Sequence, residues 1–278
     1  MRTPSKILLG TTIILLAPVL YFTLTIGEGY APYLIPLVIL GVSVYVLSPQ
    51  IDWWWYIQFP KAPNPSVVSY FSKNFTGFNQ LSPNTQRDIL NKFHLLEMSK
   101  NFISKGEDDK IPDGLKLVVL ASLLECTYKR KDFQLKDYEN IVLYAHPFPS
   151  PKWPQQLHLS EMEVEDGVFI FSLPAVLEGL KRPRQFFPVS TYEFCKAVLK
   201  SSNLPLKTTD TEEVHYLIQQ VLGYNFKQIA DYINLPLEEI NIEAVLLVLA
   251  VRFPHELQLL SSEIANWGQV VLSLEKTN

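Results

Sequence analysis

The sequence predicts an α+β chain, an N-terminal transmembrane helical hairpin followed by a mostly helical domain with a small sheet. Three observations lead there. The first fifty residues carry only Arg2, Lys6 and Glu28 as charges, so ionic character begins downstream. The runs Asn140–Tyr144 and Gly167–Ser172 are β-branched and aromatic, bounded by proline and glycine signals, and read as strands. From residue 174 onward, helical periodicity takes over.

The anchor is assigned to residues 1–60. Residues 7–26 form an uncharged apolar run that, at about 1.5 Å per helical residue, crosses the roughly 30 Å of a bilayer's hydrocarbon. Its leucine, isoleucine, valine and phenylalanine content outweighs the threonines and Pro18. A second run, 30–48, follows so soon that the two must form a tight hairpin. A cleaved leader is disfavoured, because the run exceeds the about 7 to 15 apolar residues of such leaders and no small-residue cleavage site follows. Trp53-Trp54-Trp55-Tyr56 then supplies amphipathic rings suited to the headgroup level. Arg2, Lys6 and Lys61 flank the ends while the turn offers only Glu28. The positive-inside rule therefore puts both ends, and the soluble domain, on the cytoplasmic face of a bacterial inner membrane.

Three prolines between 60 and 65 cannot continue a helix and mark the exit from the membrane; the domain occupies 61–278. Ser82-Pro83 opens an amphipathic helix expected to run to about Ile103, with Ile89, Phe93, Leu96 and Phe102 on one face. A buried helix follows over 113–127, and the four prolines of 147–154 impose an irregular loop between the strands. Later helices are expected over 174–181, 190–201, 211–222, 226–234, 238–251 and 254–275.

A net charge of −4 with interleaved signs and no basic stripe excludes nucleic acid as a natural partner and leaves membrane lipid as the partner of the anchor. Cys126 and Cys195 lack the paired spacing of a redox dithiol or zinc knuckle and suit a reducing compartment as free thiols.

The order of motifs resembles the MtfA-type family of glucose-regulated zinc metallopeptidases, in particular its membrane-anchored bacterial members. The residues that carry the likeness are Trp53 to Tyr56, Pro112-Asp113-Gly114-Leu115-Lys116, Ile141-Val142-Leu143-Tyr144, His158-x-x-Glu161, Gly167 to Ser172, and Leu177-Glu178-Gly179. The resemblance implies a zincin-like domain. It also implies a His-Glu-x-x-His helix, where two histidines bind zinc and the glutamate is the general base. At that place stand Tyr192-Glu193-Phe194-Cys195-Lys196, and the family's third ligand position falls on Val248. A phenol and an ammonium coordinate only after losing a proton, at about 4 kcal/mol each near neutrality, and an isopropyl group has no lone pair. Zinc, the family's cofactor, is therefore not expected, and Tyr192, Glu193, Lys196 and Val248 read as a relic.

Without a metal, Glu193 is assigned to a Ser-x-x-Glu capping box with Ser190. His94 and His215 sit in helical patterns, His146 and His255 adjoin prolines, and none shows metal-pair spacing. Cys195, beside Phe194 and lacking a base, reads as a small buried hydrophobe. The reading that results is a pseudopeptidase that binds a peptide or protein along an edge strand formed by Gly167, Val168, Phe169, Ile170, Phe171 and Ser172, with His158 and Glu161 beside it. Two alternatives stay open: an active metallopeptidase in which His158, Glu161, Glu193 and His215 converge, and a structural membrane subunit.

Overall fold

The computed structural model describes residues 3–106, 111–206 and 211–274; Arg2, used above for topology, lies outside them. The chain forms two compact units, Met1–Ala62 and Pro63–Asn278.

The first unit contains α1 (Pro4–Thr25), a 3-10 turn at Glu28–Tyr30, α2 (Ala31–Val46) and α3 (Ser48–Gln58). α1 buries only Ser5 and Thr12, while Ile14 and Leu24 are 71% and 77% exposed. An apolar exterior of this kind marks a surface for lipid or for another protein. Thr12, Thr23 and Thr25 return their hydroxyls to the carbonyls four residues earlier, so their polarity is satisfied within the helix. Among the described residues, α1 is the one single helix long and apolar enough to cross a membrane; the second expected span differs. α2 has 16 residues, about 24 Å, and reaches spanning length only together with α3 across a 67° bend. The bend falls at Leu47, just before Pro49, whose ring denies the chain a continuous hydrogen-bond ladder. Trp53 to Tyr56 therefore lie on α3. Asp52 of α3 accepts from both the backbone N–H and the hydroxyl of Ser5, each at 2.9 Å, and so caps the start of α1.

The second unit runs α4 (Pro65–Asn74), α5 (Pro83–Ser99), β1 (Asn101–Lys105), α6 (Asp113–Thr127), β2 (Asn140–Tyr144), β3 (Ser160–Glu163), β4 (Val168–Ser172), α7 (Leu173–Lys181), α8 (Val189–Ser202), α9 (Thr211–Leu222), α10 (Phe226–Ile233), α11 (Ile242–Arg252), α12 (Pro254–Leu260) and α13 (Ser262–Ser273). The sheet order is β1-β2-β4-β3, with β1, β2 and β4 parallel and β3 antiparallel to β4. Phe169 and Phe171 point from β4 onto Phe194 of α8, ring centroids 4.8 and 5.6 Å apart. α8 packs in turn on α11, and both are buried nearly all round.

Several expectations need correction. The helix opened by Ser82 ends at Ser99, and Phe102 and Ile103 belong to β1, because the chain turns extended at Lys100 to pair with β2. Lys100 anchors that change of direction: its buried ammonium donates to the carbonyls of Leu135, at 3.1 Å, and Tyr138. Neither β3 nor α4 was expected, since four residues of mixed polarity and a proline-led ten-residue segment give little periodic signal. The segment 254–275 is two helices, parted where Ser261 turns extended and caps α13 with its hydroxyl. α11 starts at Ile242, behind the cap Asn241, and a 3-10 turn covers 237–239.

The edge strand is also different. Val168–Ser172 pairs with β2 on one side and β3 on the other, so its backbone is already spoken for. Gly167 lies in the β3–β4 turn at φ +61°, where a Cβ would come within 2.3 Å of the Asp137 carbonyl oxygen; its role is steric. The edge belongs to β3. Ser172 donates its N–H to the carbonyl of Leu159, and the register continues as Ser160 with Phe171 and Met162 with Phe169. Hydrogen-bonded and non-hydrogen-bonded pairs alternate in an antiparallel ladder, so the backbone groups of Ser160 and Met162 point away from β4; Ser160 is wholly buried, and only the half-buried Met162 reaches solvent.

Candidate functional site

Of the expected site residues, Glu193 and Lys196 of α8 and His158 and Glu161 beside β3 are gathered where α8 passes β3. Glu193 is wholly buried. Its carboxylate accepts from the Ser160 hydroxyl at 2.8 Å and pairs with the Lys196 ammonium at 2.6 Å. The Lys196 side chain is 22% exposed and lies over the Tyr192 ring, 5.3 Å from its centroid. The helix places these groups by its periodicity, since residues three and four apart share a face.

The capping box does not form. α8 begins at Val189, after Pro188, which makes Ser190 an interior first-turn residue. Its hydroxyl faces Ser122 of α6 at 3.4 Å, and the Glu193 carboxylate reaches across to β3 instead.

On the strand side, His158 is fully buried and its Nε2 lies 3.1 Å from a carboxylate oxygen of Glu161. The ring packs edge-on against Phe148, which stacks on Tyr144, and a backbone bridge between Phe148 and His158 ties the proline-rich loop to the sheet. Burial by itself would raise the Glu161 carboxyl, but hydrogen bonds from His158 and Ser150 and the charges of His158 and Lys196 outweigh it and hold the group below its ordinary range. Lys196 thus pairs with the acid of its own helix, and its charge also acts on the acid of the strand. Ser150 and Ser160 are members that the sequence did not single out; small hydroxyls in a loop and a four-residue strand carry no spacing signature.

Tyr192 turns away from the acids. Its hydroxyl accepts the backbone N–H of Asn241, the cap of α11, at 2.9 Å, and its ring rests on Phe187. Burial, reinforced by the charge of Glu193, pushes its phenol far above the usual value. Val248 is fully buried in the apolar core of α11. His215 stacks on Phe226, 5.3 Å between centroids, and has no part in the cluster. Among the described residues, no three His, Cys, Asp or Glu side chains are grouped as metal ligands would be. The Ser160 hydroxyl is wholly buried and gives its proton to Glu193, so it is not presented to a substrate.

Cys126 and Cys195 are free thiols, both buried, with sulfurs 4.0 Å apart between α6 and α8. Burial, together with the neighbouring sulfur, raises the Cys126 thiol well above its usual value. No protein-family model matches the chain, nor does any curated protein or solved structure.

Proposed function

We propose that this protein is a membrane-anchored pseudopeptidase of MtfA-type, zincin-like descent that captures an extended peptide or protein segment on β3 and does not cleave it. The observation that carries the reading is the ion pair of Glu193 and Lys196. An ammonium 2.6 Å from the would-be general base occupies the neighbourhood in which a zinc-bound water would have to stand. A divalent cation there meets a fixed positive charge, and the nearby Tyr192 phenol holds its proton. Glu193 without a metal would need a water made far more acidic than free water before a carboxylate could serve as its base, and it is itself shut off from solvent.

Peptide capture needs none of that chemistry. An added strand is held by main-chain hydrogen bonds, and the outward backbone groups of the half-buried Met162 supply a short template for it. In the anchor, α1 and the bent α2–α3 pair carry the apolar exterior, and Lys6 and Lys61 mark the cytoplasmic side of a bacterial inner membrane.

The test uses the full chain in lipid nanodiscs, with a library of unstructured ten-residue peptides as probe. Hydrogen exchange at the Met162 amide is expected to slow when a peptide binds, with no cleavage product, and Met162→Pro is expected to abolish binding. Stoichiometric zinc lost together with peptide cleavage in Glu193→Gln would overturn the reading in favour of an active enzyme. Absence of any peptide-dependent protection would leave only a structural membrane subunit.

A further inference from the structure

α2 and α3 reach spanning length together, but their geometry divides them. The axis turns by 67° at Leu47, so the 11 residues of α3, about 16 Å of helix, advance only about 6 Å along the direction of α2. Asp52 fixes the level at which this happens. Its two carboxylate oxygens accept from the backbone N–H and the hydroxyl of Ser5, each at 2.9 Å, and α3 packs against α1. α3 therefore lies at the end of the hairpin where α1 begins, and it turns aside there.

The two faces of α3 differ. Pro49, Asp52, Trp53 and Tyr56 share one arc at helical spacing and are buried or half-buried. Trp54, Trp55, Ile57 and the C-cap Phe59 are exposed on the other, interrupted only by uncharged Ser48, Gln50 and Gln58. Exposed Tyr45, Val46 and Leu47 at the end of α2 lead into this arc, so it continues the apolar exterior of the hairpin. Each exposed indole has one N–H to donate, which the ester carbonyls and phosphates of lipid accept and hydrocarbon does not. Just past α3, the Lys61 ammonium lies over the Tyr56 ring, 4.5 Å from its centroid, and adds a cation at the same end.

We infer that α3 is an interfacial helix: it lies in the headgroup–carbonyl layer of the bilayer, clamped by Asp52 to the start of α1, and α2 crosses alone. The inference rests on the membrane-anchored reading above. It makes α2 a short span of about 24 Å, which the bilayer meets by thinning locally.

The test places the full chain in phosphatidylcholine–phosphatidylglycerol vesicles whose acyl chains are dibrominated at shallow, middle or deep positions, and reads depth from tryptophan quenching. Trp153→Phe and Trp267→Phe silence the second unit. A single emitter is kept at Trp54, or moved along α3 by Ile51→Trp or Phe59→Trp with the other α3 tryptophans replaced by phenylalanine. Should these changes unfold the protein, fluorine NMR of fluorotryptophan-labelled chain with nitroxide lipids reads the same positions without silencing the second unit. From residue 51 to residue 59 the depth is expected to change by about 5 Å, with the shallow bromines quenching most, whereas a helix that continues the span changes it by about 12 Å. Asp52→Ala is expected to at least double the difference, and Asp52→Asn, which keeps one acceptor, to change it less. A change of about 12 Å with Asp52 intact, emitters beyond reach of every bromine in protein that floats with the vesicles, or an Asp52→Ala profile identical to the parent would each overturn the proposal. Failure to float with vesicles is a different result, and removes the membrane anchor itself.

Discussion

Lys196→Met tests the ionic cluster most directly. Glu193 has no access to water, and in the variant its carboxylate keeps one neutral donor, Ser160 at 2.8 Å, and loses the ammonium at 2.6 Å. Removing one partner of a buried pair costs about 3 to 5 kcal/mol, because the remaining charge stays desolvated. We take about 3 kcal/mol here, since Lys196 itself is 22% exposed and some water reaches the pair. For a unit of this size, each kcal/mol moves the midpoint by about 2 to 4 °C, so the full chain in nanodiscs should melt about 6 to 12 °C lower. The converse change is milder: Glu193→Met leaves a lysine that can extend toward solvent and strands the Ser160 hydroxyl, at about 1 to 2 kcal/mol. Replacing both residues by methionine removes the charges together and restores most of the loss, leaving about 1 kcal/mol for the stranded Ser160 hydroxyl. Thermal unfolding of the two single variants and the double variant closes the cycle. If Lys196→Met costs less than about 1 kcal/mol, or if the double variant loses the sum of the singles, the pair is not the buried, coupled unit described.

Other groups give separate expectations. Burial lowers the Lys100 ammonium to about 8 from an unfolded value near 10.5, so between those values the unfolded chain binds more protons. Stability should therefore rise with pH across that window, by at most about 3 kcal/mol, and Lys100→Met should flatten the rise in a denaturation series. Gly167→Ala places a methyl group 2.3 Å from the Asp137 carbonyl oxygen at a positive φ, and should cost about 3 kcal/mol or more in urea unfolding. Tyr192→Phe removes the acceptor for the Asn241 N–H, and should lower stability by about 1 to 2 kcal/mol with faster exchange at the start of α11.

How much of this was legible in the sequence depends on the range over which each signal acts. α1, α6, β2 and the extent of β4 follow from local patterning, where unbroken apolar runs or β-branched residues between proline and glycine leave the backbone little choice. The neighbourhood of Glu193 and Lys196 was also readable, as residues three apart on a helix share a face whatever surrounds them. Position within the sheet was not readable. Gly167–Ser172 has the composition of a strand, but whether a strand is interior or at the edge depends on which partners come to its flanks, and β3 lies in a segment too short and polar to announce itself.

The destination of a carboxylate is likewise a tertiary matter. Ser190 and Glu193 have the spacing of a cap, yet α8 begins early enough to place Ser190 inside the helix, and Ser160, thirty-three residues upstream, takes the acid. By itself the sequence determined residue chemistry: an apolar first helix, no lone pair at Val248, and a lysine one turn from a glutamate. Only the tertiary structure decided that this lysine pairs with that glutamate, that Glu161 lies within reach of its charge, and that β3 takes the edge of the sheet. The physical reason is that bonding capacity belongs to a residue, while the partner that satisfies it is chosen by the burial of distant segments against one another.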